Sequence, residues 1–227
     1  MPDPRLPLAP ELYVIGLTGN IACGKSTVVQ MLQALGAYTL DADAITHQIQ
    51  APNQPVYRQI VAEFGRGILA APDADGNRPL DRKALAAIVF SDPVQLKQLE
   101  AIVHPAVHQA MWAWLAQVQQ QVATAQAMLN GVPVAVIDAV KLIESGWKQH
   151  VQAVWVVTCT PQQQLERLIQ TRAMPAAEAR QRIAAQPPQA ERMAHADVVI
   201  DNSHSLGQTR QQVQAAWHAI QQKVART

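Results

Sequence analysis

The sequence has few cysteines, few charged residues and no long apolar run. Its two cysteines, Cys23 and Cys159, are too few for a disulfide framework or a zinc site. Charged residues make up 15% of the chain, and 18 basic against 17 acidic side chains leave a net charge of +1. Because binding to duplex nucleic acid depends on a broad basic excess, we expect no nucleic-acid partner. No apolar stretch approaches the roughly 18 residues of a membrane helix, so we expect a soluble, cytoplasmic protein without a membrane partner.

The chain of 227 residues is long enough for one large α/β domain, and 49% hydrophobic residues are ample for its core. The first segment, 1–11, is rich in proline and lacks an apolar centre, so it is unlike a signal peptide and is predicted to be a disordered leader. Apolar, β-rich runs predict strands at 12–18, 37–40, 132–139, 151–159 and 197–201. Helical spacing separates these runs, which predicts a parallel sheet with helices on both faces.

One octapeptide, GNIACGKS at Gly19–Ser26, fits the G-x-x-x-x-G-K-[ST] pattern of a phosphate-binding loop. It follows a predicted buried strand and opens a predicted helix, which is the context that the pattern requires. Gly19 and Gly24 allow backbone N–H groups to converge on phosphate oxygens. Lys25 would place a positive charge at the β- and γ-phosphates, and the Ser26 hydroxyl would bind Mg²⁺. The predicted nucleotide contacts are Gly19, Ala22, Cys23, Gly24, Lys25, Ser26 and Thr27.

Acidic residues follow two of the predicted strands. Asp138 ends an apolar run, where a carboxylate would orient Mg²⁺ or where an ordinary turn residue fits equally well. Asp41 and Asp43 follow the second strand, at the edge where ligands of open α/β sheets bind. One of these two carboxylates could accept the proton of an acceptor hydroxyl as phosphoryl transfer proceeds. A helix N-cap would explain one aspartate but does not need two.

Together these motifs resemble the dephospho-CoA kinase family, from about Val14 to about Ser205. The resemblance rests on IGLTGNIACGKS, LDADAI, GNRPLDRKALAAIVFSD, LEAIVHPAV and ADVVIDNS. It implies a three-layer α/β P-loop fold, with ATP and dephospho-CoA as substrates and Mg²⁺ as cofactor. The implied reaction moves the γ-phosphoryl of ATP to the 3′-hydroxyl of dephospho-CoA and gives CoA and ADP.

The resemblance also implies a division of the chain. A single kinase domain is expected at 12–227, with its core formed by 12–43 and 130–227. A helical acceptor-binding insertion is expected at about 44–129, and a lid at about 164–192. We expect a monomer or a weak homo-oligomer.

Roles for individual residues follow from the same resemblance. The second aspartate of the DAD element, Asp43, is implied to be the base, and Lys25 is the other implied catalytic residue. Asp41, Arg82 of the LDR element and His104 of the HP element are implied to contact the acceptor. For His104, which precedes a proline, a local turn or cap fits equally well.

Among the basic residues of the expected lid, Arg167 and Arg182 match family positions best and are implied nucleotide contacts. Arginine suits this role because its planar fork binds phosphate oxygens in pairs, although charges spaced in this way more often form a solvated helix face. The chain departs from the family pattern at His47, where arginine is usual, and at Lys141 in the segment that usually reads PLLFE. If the family arginine contacts substrate phosphate, that contact is weaker at His47 or is supplied elsewhere. Lys141 fits either a substituted anion contact or a solvated residue.

Two other functions stay open on these residues. One is a kinase of the same fold that phosphorylates a nucleoside or nucleotide. The other is a binding or assembly protein that hydrolyses ATP slowly as a switch. The two cysteines are further candidates for chemistry: Cys159 would lie beside Cys23 if the fourth strand pairs with the first, and two unrelated reduced thiols are the alternative.

Overall fold

The computed structural model of the protein describes residues 12–125 and 131–224. The described residues form two compact units, one made of 12–41 together with 115–125 and 131–224, the other of Ala42–Trp114. The predicted leader lies outside the described residues. The second unit overlaps the range 44–129 in which an insertion was expected, and one helix continues past the end of this unit at Trp114.

The first unit contains a sheet of five parallel strands in the order β2-β3-β1-β4-β5. The strands are β1 (Tyr13–Gly19), β2 (Tyr38–Asp41), β3 (Val134–Asp138), β4 (Ala153–Thr158) and β5 (Val198–Asp201). This sheet confirms the predicted fold class. Leu17 of β1 and Asp41 of β2 both lie opposite Asp138 of β3. Since all strands run in one direction, their carboxyl ends share an edge, where ligands of such sheets bind.

Burial of the central strands explains their sequence. Every residue of β3 and β4 is buried, as a strand covered on both faces requires. Alternate residues of the strands pack against α1 (Lys25–Ala34) and α9 (Leu206–Val224) in one apolar cluster. The buried members are Ile15, Leu17, Cys23, Val28, Leu32, Val134, Val136, Ala153, Trp155, Val157, Cys159, Ile200, Val213 and Ile220. This cluster fixes the end of β1 and the start of α1, between which the phosphate-binding loop lies.

Three shorter helices connect β4 to β5. They are α6 (Pro161–Arg172), α7 (Ala176–Ala184) and α8 (Gln189–Met193), and a 3-10 helix at Trp147–His150 precedes β4. Thr160 and Gln163 form a capping box at the start of α6, and Pro161 occupies the first turn, where it blocks no hydrogen bond. The sequence did not predict α8, which has only five residues.

The second unit is helical, with α2 (Ala42–Ile49), α3 (Pro55–Phe64), a 3-10 helix at Arg66–Ile68, α4 (Arg82–Ser91) and the first part of α5 (Pro93–Ala125). Asp81 caps α4 by accepting hydrogen bonds from the backbone N–H groups of Lys83 and Ala84, at 2.9 and 3.1 Å. The buried side chains of the second unit include Val56, Ile60, Ile68, Leu80, Leu85, Val89, Val103, Val107 and Met111.

The longest helix, α5, spans 33 residues and contains Pro105. His104 and Pro105 both lie inside it, so the alternative of a local turn at His104 is wrong. Among the described residues, 12–125 and 131–224, no helix is long and apolar enough to span a bilayer.

Candidate nucleotide-binding and catalytic site

The phosphate-binding loop leaves β1 at Gly19 and enters α1 at Lys25, as the octapeptide predicted. Gly24 has a positive φ of 89°, and a Cβ there would overlap the side-chain amide of Asn202. A Cβ on Gly19 would lie 2.5 Å from the carbonyl oxygen of Val157 on the neighbouring strand. Both glycines are therefore required by close packing and, at Gly24, by backbone conformation.

The first turn of α1 has the properties of an anion site. Its N-cap, Gly24, has no side chain, and no side-chain hydrogen bond caps this helix in the described structure. Backbone N–H groups and the positive end of the helix dipole therefore face the loop, which favours a phosphate group. The exposed hydroxyl of Ser26 lies in the same turn.

Lys25 forms an ion pair with Asp138, the last residue of β3. Both side chains are largely buried, with 16% and 12% of their surfaces exposed. Asp41 ends the neighbouring strand directly opposite Asp138. The ion pair favours a functional role for Asp138 over that of an ordinary turn residue, because it joins the loop lysine to the carboxyl edge of the sheet.

Two side chains donate hydrogen bonds to backbone carbonyl oxygens of the loop. Asn202 donates from Nδ2 to the carbonyl oxygen of Cys23 at 2.8 Å, and its Oδ1 accepts from the Thr209 hydroxyl at 2.9 Å. Arg167 donates to the carbonyl oxygens of Ala22 at 3.2 Å and Asn202 at 2.8 Å. Arg167 thus brings its charge to the phosphate-binding loop, while its contact with nucleotide stays a prediction.

The expected lid region reaches the loop through amide side chains. Gln186 accepts from the backbone N–H of Ile21 at 2.7 Å, and Gln164 donates to the carbonyl oxygen of Ile21 at 2.9 Å. Asn20 donates to the carbonyl oxygen of Pro187 at 3.1 Å. These bonds connect the loop to α6 and to the segment between α7 and α8.

Arg192 connects the end of this region to the strands that flank the site. Its guanidinium is buried and donates to the Thr18 hydroxyl at 3.1 Å, the Val140 carbonyl at 2.6 Å and the Glu144 carboxylate at 2.7 Å. Thr18 also donates to the Val140 carbonyl, at 3.1 Å. Since Thr18 precedes the loop and Val140 follows Asp138 by two residues, Arg192 fixes the spacing between the loop and Asp138.

Replacing Arg192 with methionine is expected to lower the free energy of unfolding by about 2 kcal/mol, because it breaks a buried charge-assisted network. The value is at the low end for such a loss, since the Glu144 side chain is 37% exposed and water screens the pair. Urea denaturation measures the change. Arg182→Met is the matched control. Because the ion pair of Arg182 with Glu178 is exposed, its loss should change the free energy of unfolding by less than about 0.5 kcal/mol. If both variants lost the same free energy of unfolding, the stabilising role of the buried Arg192 network would be contradicted.

The remaining predicted residues lie in different parts of the chain. Arg182 is on an exposed face of α7 and donates to Glu178 at 2.8 Å. The other three belong to the second unit. Asp43 is exposed in the first turn of α2, Arg82 begins α4 with its guanidinium 3.5 Å from Gln50, and the ring of His104 is stacked on that of His108.

Sequence reasoning missed five residues that contact the loop or its flanking strands: Asn202, Gln164, Gln186, Gln189 and Arg192. Asn202 had a signal, since it lies in the ADVVIDNS element that carries the family resemblance. The three glutamines and Arg192 had none, because they lie in a polar segment that fits a solvated surface equally well. No cluster of three or more His, Cys, Asp or Glu side chains forms a metal site in the part of the chain that the structure describes.

Comparisons with known proteins point to one family. A family model described as dephospho-CoA kinase matches residues 13–208. The chain is 47% identical to a dephospho-CoA kinase of Symbiobacterium thermophilum, covering 92% of this chain and 81% of that protein. It is 40% identical to a dephospho-CoA kinase of Geobacter sulfurreducens, covering 91% and 98%.

Solved structures give the same result at the level of the fold. A dephospho-CoA kinase from Campylobacter jejuni superposes with a TM-score of 0.62 at 25% identity, covering 93% of this chain and 98% of that one. The protein TT1252 from Thermus thermophilus superposes with a TM-score of 0.70 at 29% identity, covering 92% and 97%.

Proposed function

The chain belongs to the dephospho-CoA kinase family, and on this premise we propose how its residues transfer the γ-phosphoryl of ATP to the 3′-hydroxyl of dephospho-CoA. The observation that carries the proposal is the phosphate-binding loop whose lysine pairs with Asp138 at the carboxyl edge of the sheet. A nucleotide phosphate chain fits this edge because backbone N–H groups, a helix N-terminus and an ammonium group converge there.

The donor is held by the loop. The backbone N–H groups of Ala22 and Gly24 and the first turn of α1 bind the β-phosphate, and the N–H of Cys23 joins them once it leaves the carbonyl oxygen of Asn20. Lys25 turns from Asp138 to the β- and γ-phosphates. This exchange is favourable because the phosphates carry more negative charge than a single carboxylate. Lys25 then stabilises the charge that develops on the transferred group and on the leaving ADP.

The residues at this edge fit Mg²⁺, which usually keeps several waters and takes only one or two protein groups besides the substrate phosphates. The Ser26 hydroxyl would hold it directly, and Asp138 would hold its waters once Lys25 has moved to the phosphates. When bound, Mg²⁺ would neutralise charge on the β- and γ-phosphates.

On the acceptor side, Asp43 accepts the proton of the 3′-hydroxyl while the oxygen attacks the γ-phosphorus. The bond from that phosphorus to the oxygen bridging it to the β-phosphate breaks, and ADP leaves with this electron pair. Asp41, Arg82 and His104 orient the acceptor and its phosphates. Support for Asp43 is its exposed position in the first turn of α2, two residues after the edge residue Asp41.

Arg167 and Arg182 complete the proposal as contacts to the nucleotide. Arg167 already lies against the loop. Arg182 would leave Glu178 to bind phosphate, and little free energy is lost because exposed ion pairs contribute little to stability. Water exclusion as the lid approaches the loop would add to the rate. We further propose a cytoplasmic enzyme, a monomer or weak homo-oligomer with no nucleic-acid partner, in keeping with two cysteines that are free thiols.

An ADP-release assay tests the function. Purified protein with Mg-ATP is offered dephospho-CoA, then a panel of nucleosides and nucleotides, then no acceptor. We expect ADP release with dephospho-CoA to exceed every other condition at least about a hundredfold, because only this acceptor brings its hydroxyl to the base. Release that is equal without acceptor would indicate the switch protein, and preference for a nucleoside would indicate a nucleoside kinase. Protein carrying Lys25→Met controls for a contaminating kinase.

A further inference from the structure

Two thiols lie side by side beneath the phosphate-binding loop. The Sγ atoms of Cys23, in the loop, and Cys159, after β4, are 3.4 Å apart. They are the two cysteines of the whole chain. Their proximity results from the pairing of β4 with β1, since adjacent strands are separated by about 4.8 Å and a disulfide spans Cα atoms roughly 4.4–6.8 Å apart.

We propose that this pair is an oxidation site: small hydroperoxides convert Cys23 and Cys159 to a disulfide, and the disulfide weakens nucleotide binding by the loop. The proposed kinase reaction uses neither sulfur atom. The inference therefore goes beyond that reaction and can be tested without any acceptor.

The two thiols differ in how readily they ionise. The contact with Cys23 lowers the pKa of the Cys159 thiol, because the Cys23 thiol can turn from Gln189 and donate its hydrogen to a Cys159 thiolate; burial opposes this effect and the charge of Arg167 assists it. The same contact, burial and the charge of Cys159 raise the pKa of Cys23. Cys159 is therefore the nucleophile, since a thiolate and not a thiol attacks an oxidant.

The chemistry balances with the hydroperoxide as the oxidant. The Cys159 thiolate attacks one peroxide oxygen, the O–O bond breaks, and a sulfenic acid and hydroxide form. The Cys23 sulfur then attacks the sulfenic sulfur; the S–O bond breaks, and the leaving hydroxide takes the Cys23 proton as water. Two thiols lose two electrons in total, and the peroxide gains them.

Burial selects the oxidant. Cys23 is 0% and Cys159 is 2% exposed, and Gln189 covers the pair by accepting from the Cys23 thiol at 3.4 Å and the Cys159 backbone N–H at 3.3 Å. Hydrogen peroxide is small enough to reach such a pair during local opening, whereas glutathione disulfide is not. We therefore expect hydrogen peroxide to oxidise the pair and glutathione disulfide not to react with it.

Bridging would change the loop itself. The sulfur atoms must approach from 3.4 Å to about 2.05 Å, which draws Cys23 toward β4. Its neighbours Ala22 and Gly24 both have positive φ, of 60° and 89°, and these angles direct the loop N–H groups. The bridge also removes the thiol hydrogen that Gln189 accepts, so the segment that covers the loop loses an anchor.

The test treats the full-length protein with hydrogen peroxide or glutathione disulfide and measures intact mass, peptide linkage and the affinity for ATP. We expect peroxide to lower the mass by two hydrogen atoms, to link the Cys23 and Cys159 peptides and to weaken ATP binding at least about tenfold. Glutathione disulfide should do none of this. By linkage, saturating ATP should make the disulfide easier to reduce at equilibrium, since a bridge that disfavours ATP binding is disfavoured by bound ATP.

Cys159→Ser is the control, because it keeps the loop sequence and leaves one sulfur atom. It should bind ATP like the parent protein and keep its affinity after peroxide. The proposal is wrong if peroxide adds oxygen atoms without a link, if the linked protein binds ATP normally, or if Cys159→Ser loses affinity to the same extent. None of these outcomes depends on whether the protein phosphorylates dephospho-CoA.

Discussion

Replacing Lys25 with methionine is expected to lower the rate of phosphoryl transfer about a thousandfold or more. Methionine keeps most of the volume of the side chain but removes the charge that the loop directs at the transferred group. Loss of one such preorganised electrostatic contact typically costs about 10²–10³ in kcat, and Lys25 would also contribute to binding ATP in the ground state. The ADP-release assay at saturating dephospho-CoA gives kcat, and a titration with ATP gives its affinity.

The substitution is also expected to destabilise the folded protein, and this effect must be distinguished from the loss of activity. Lys25→Met removes the cation that pairs with Asp138, a carboxylate with only 12% of its side chain exposed, so the free energy of unfolding should also fall. The double variant Lys25→Met with Asp138→Asn should recover the stability and not the activity. Lys223→Met, at an exposed position near the end of α9, controls for the substitution itself. Turnover above a tenth of the parent value in Lys25→Met would contradict the role of the lysine.

Replacing Asp43 with asparagine is expected to lower kcat by about 10²–10⁴-fold while the affinity for ATP changes less than about twofold. Asparagine has the same shape and can still orient a hydroxyl, but it accepts no proton. Removing the charge from the first turn of α2 should cost less than about 1 kcal/mol, so the start of the helix should persist. The assay measures kcat at saturating substrates, and ATP affinity is measured separately by equilibrium binding.

Two further substitutions sharpen the assignment. Asp41→Asn should mainly raise the KM for dephospho-CoA, because Asp41 is proposed to orient the acceptor and not to take its proton. Asp75→Asn, in an exposed turn of the second unit, should leave kcat, the KM for dephospho-CoA and the affinity for ATP unchanged. If Asp41→Asn lost turnover and Asp43→Asn kept it, the two roles would be exchanged. Near-normal turnover in both would eliminate a carboxylate base from this element.

The loop was predictable from its own eight residues because its function is local. The glycines provide the backbone angles, the lysine and serine are proposed to provide the ligand groups, and the adjacent strand and helix patterns supply the context. The structure agrees down to the left-handed conformation of Gly24. Pro55, Pro93 and Pro161 each begin a helix, at the position where proline blocks no backbone hydrogen bond.

The supporting contacts were not predictable, because they join residues far apart in the chain. Arg192 bonds to Thr18 across 174 positions, and Gln186 bonds to Ile21 across 165. No periodicity in the sequence distinguishes Arg192, which is buried, from Arg182, which is exposed on α7. The sequence-based prediction selected Arg182, and only packing identified the importance of Arg192.

The sequence by itself determined the phosphate-binding loop, the buried strands and the family, because each of these depends on residues that are neighbours in the chain. Tertiary structure alone decided that Asp138 pairs with Lys25 and that the two thiols are in contact. The physical reason is the order of the strands: β3 and β4 flank β1 on its two sides, and this pairing of distant segments brings a carboxylate to one side of the loop and a second thiol to the other.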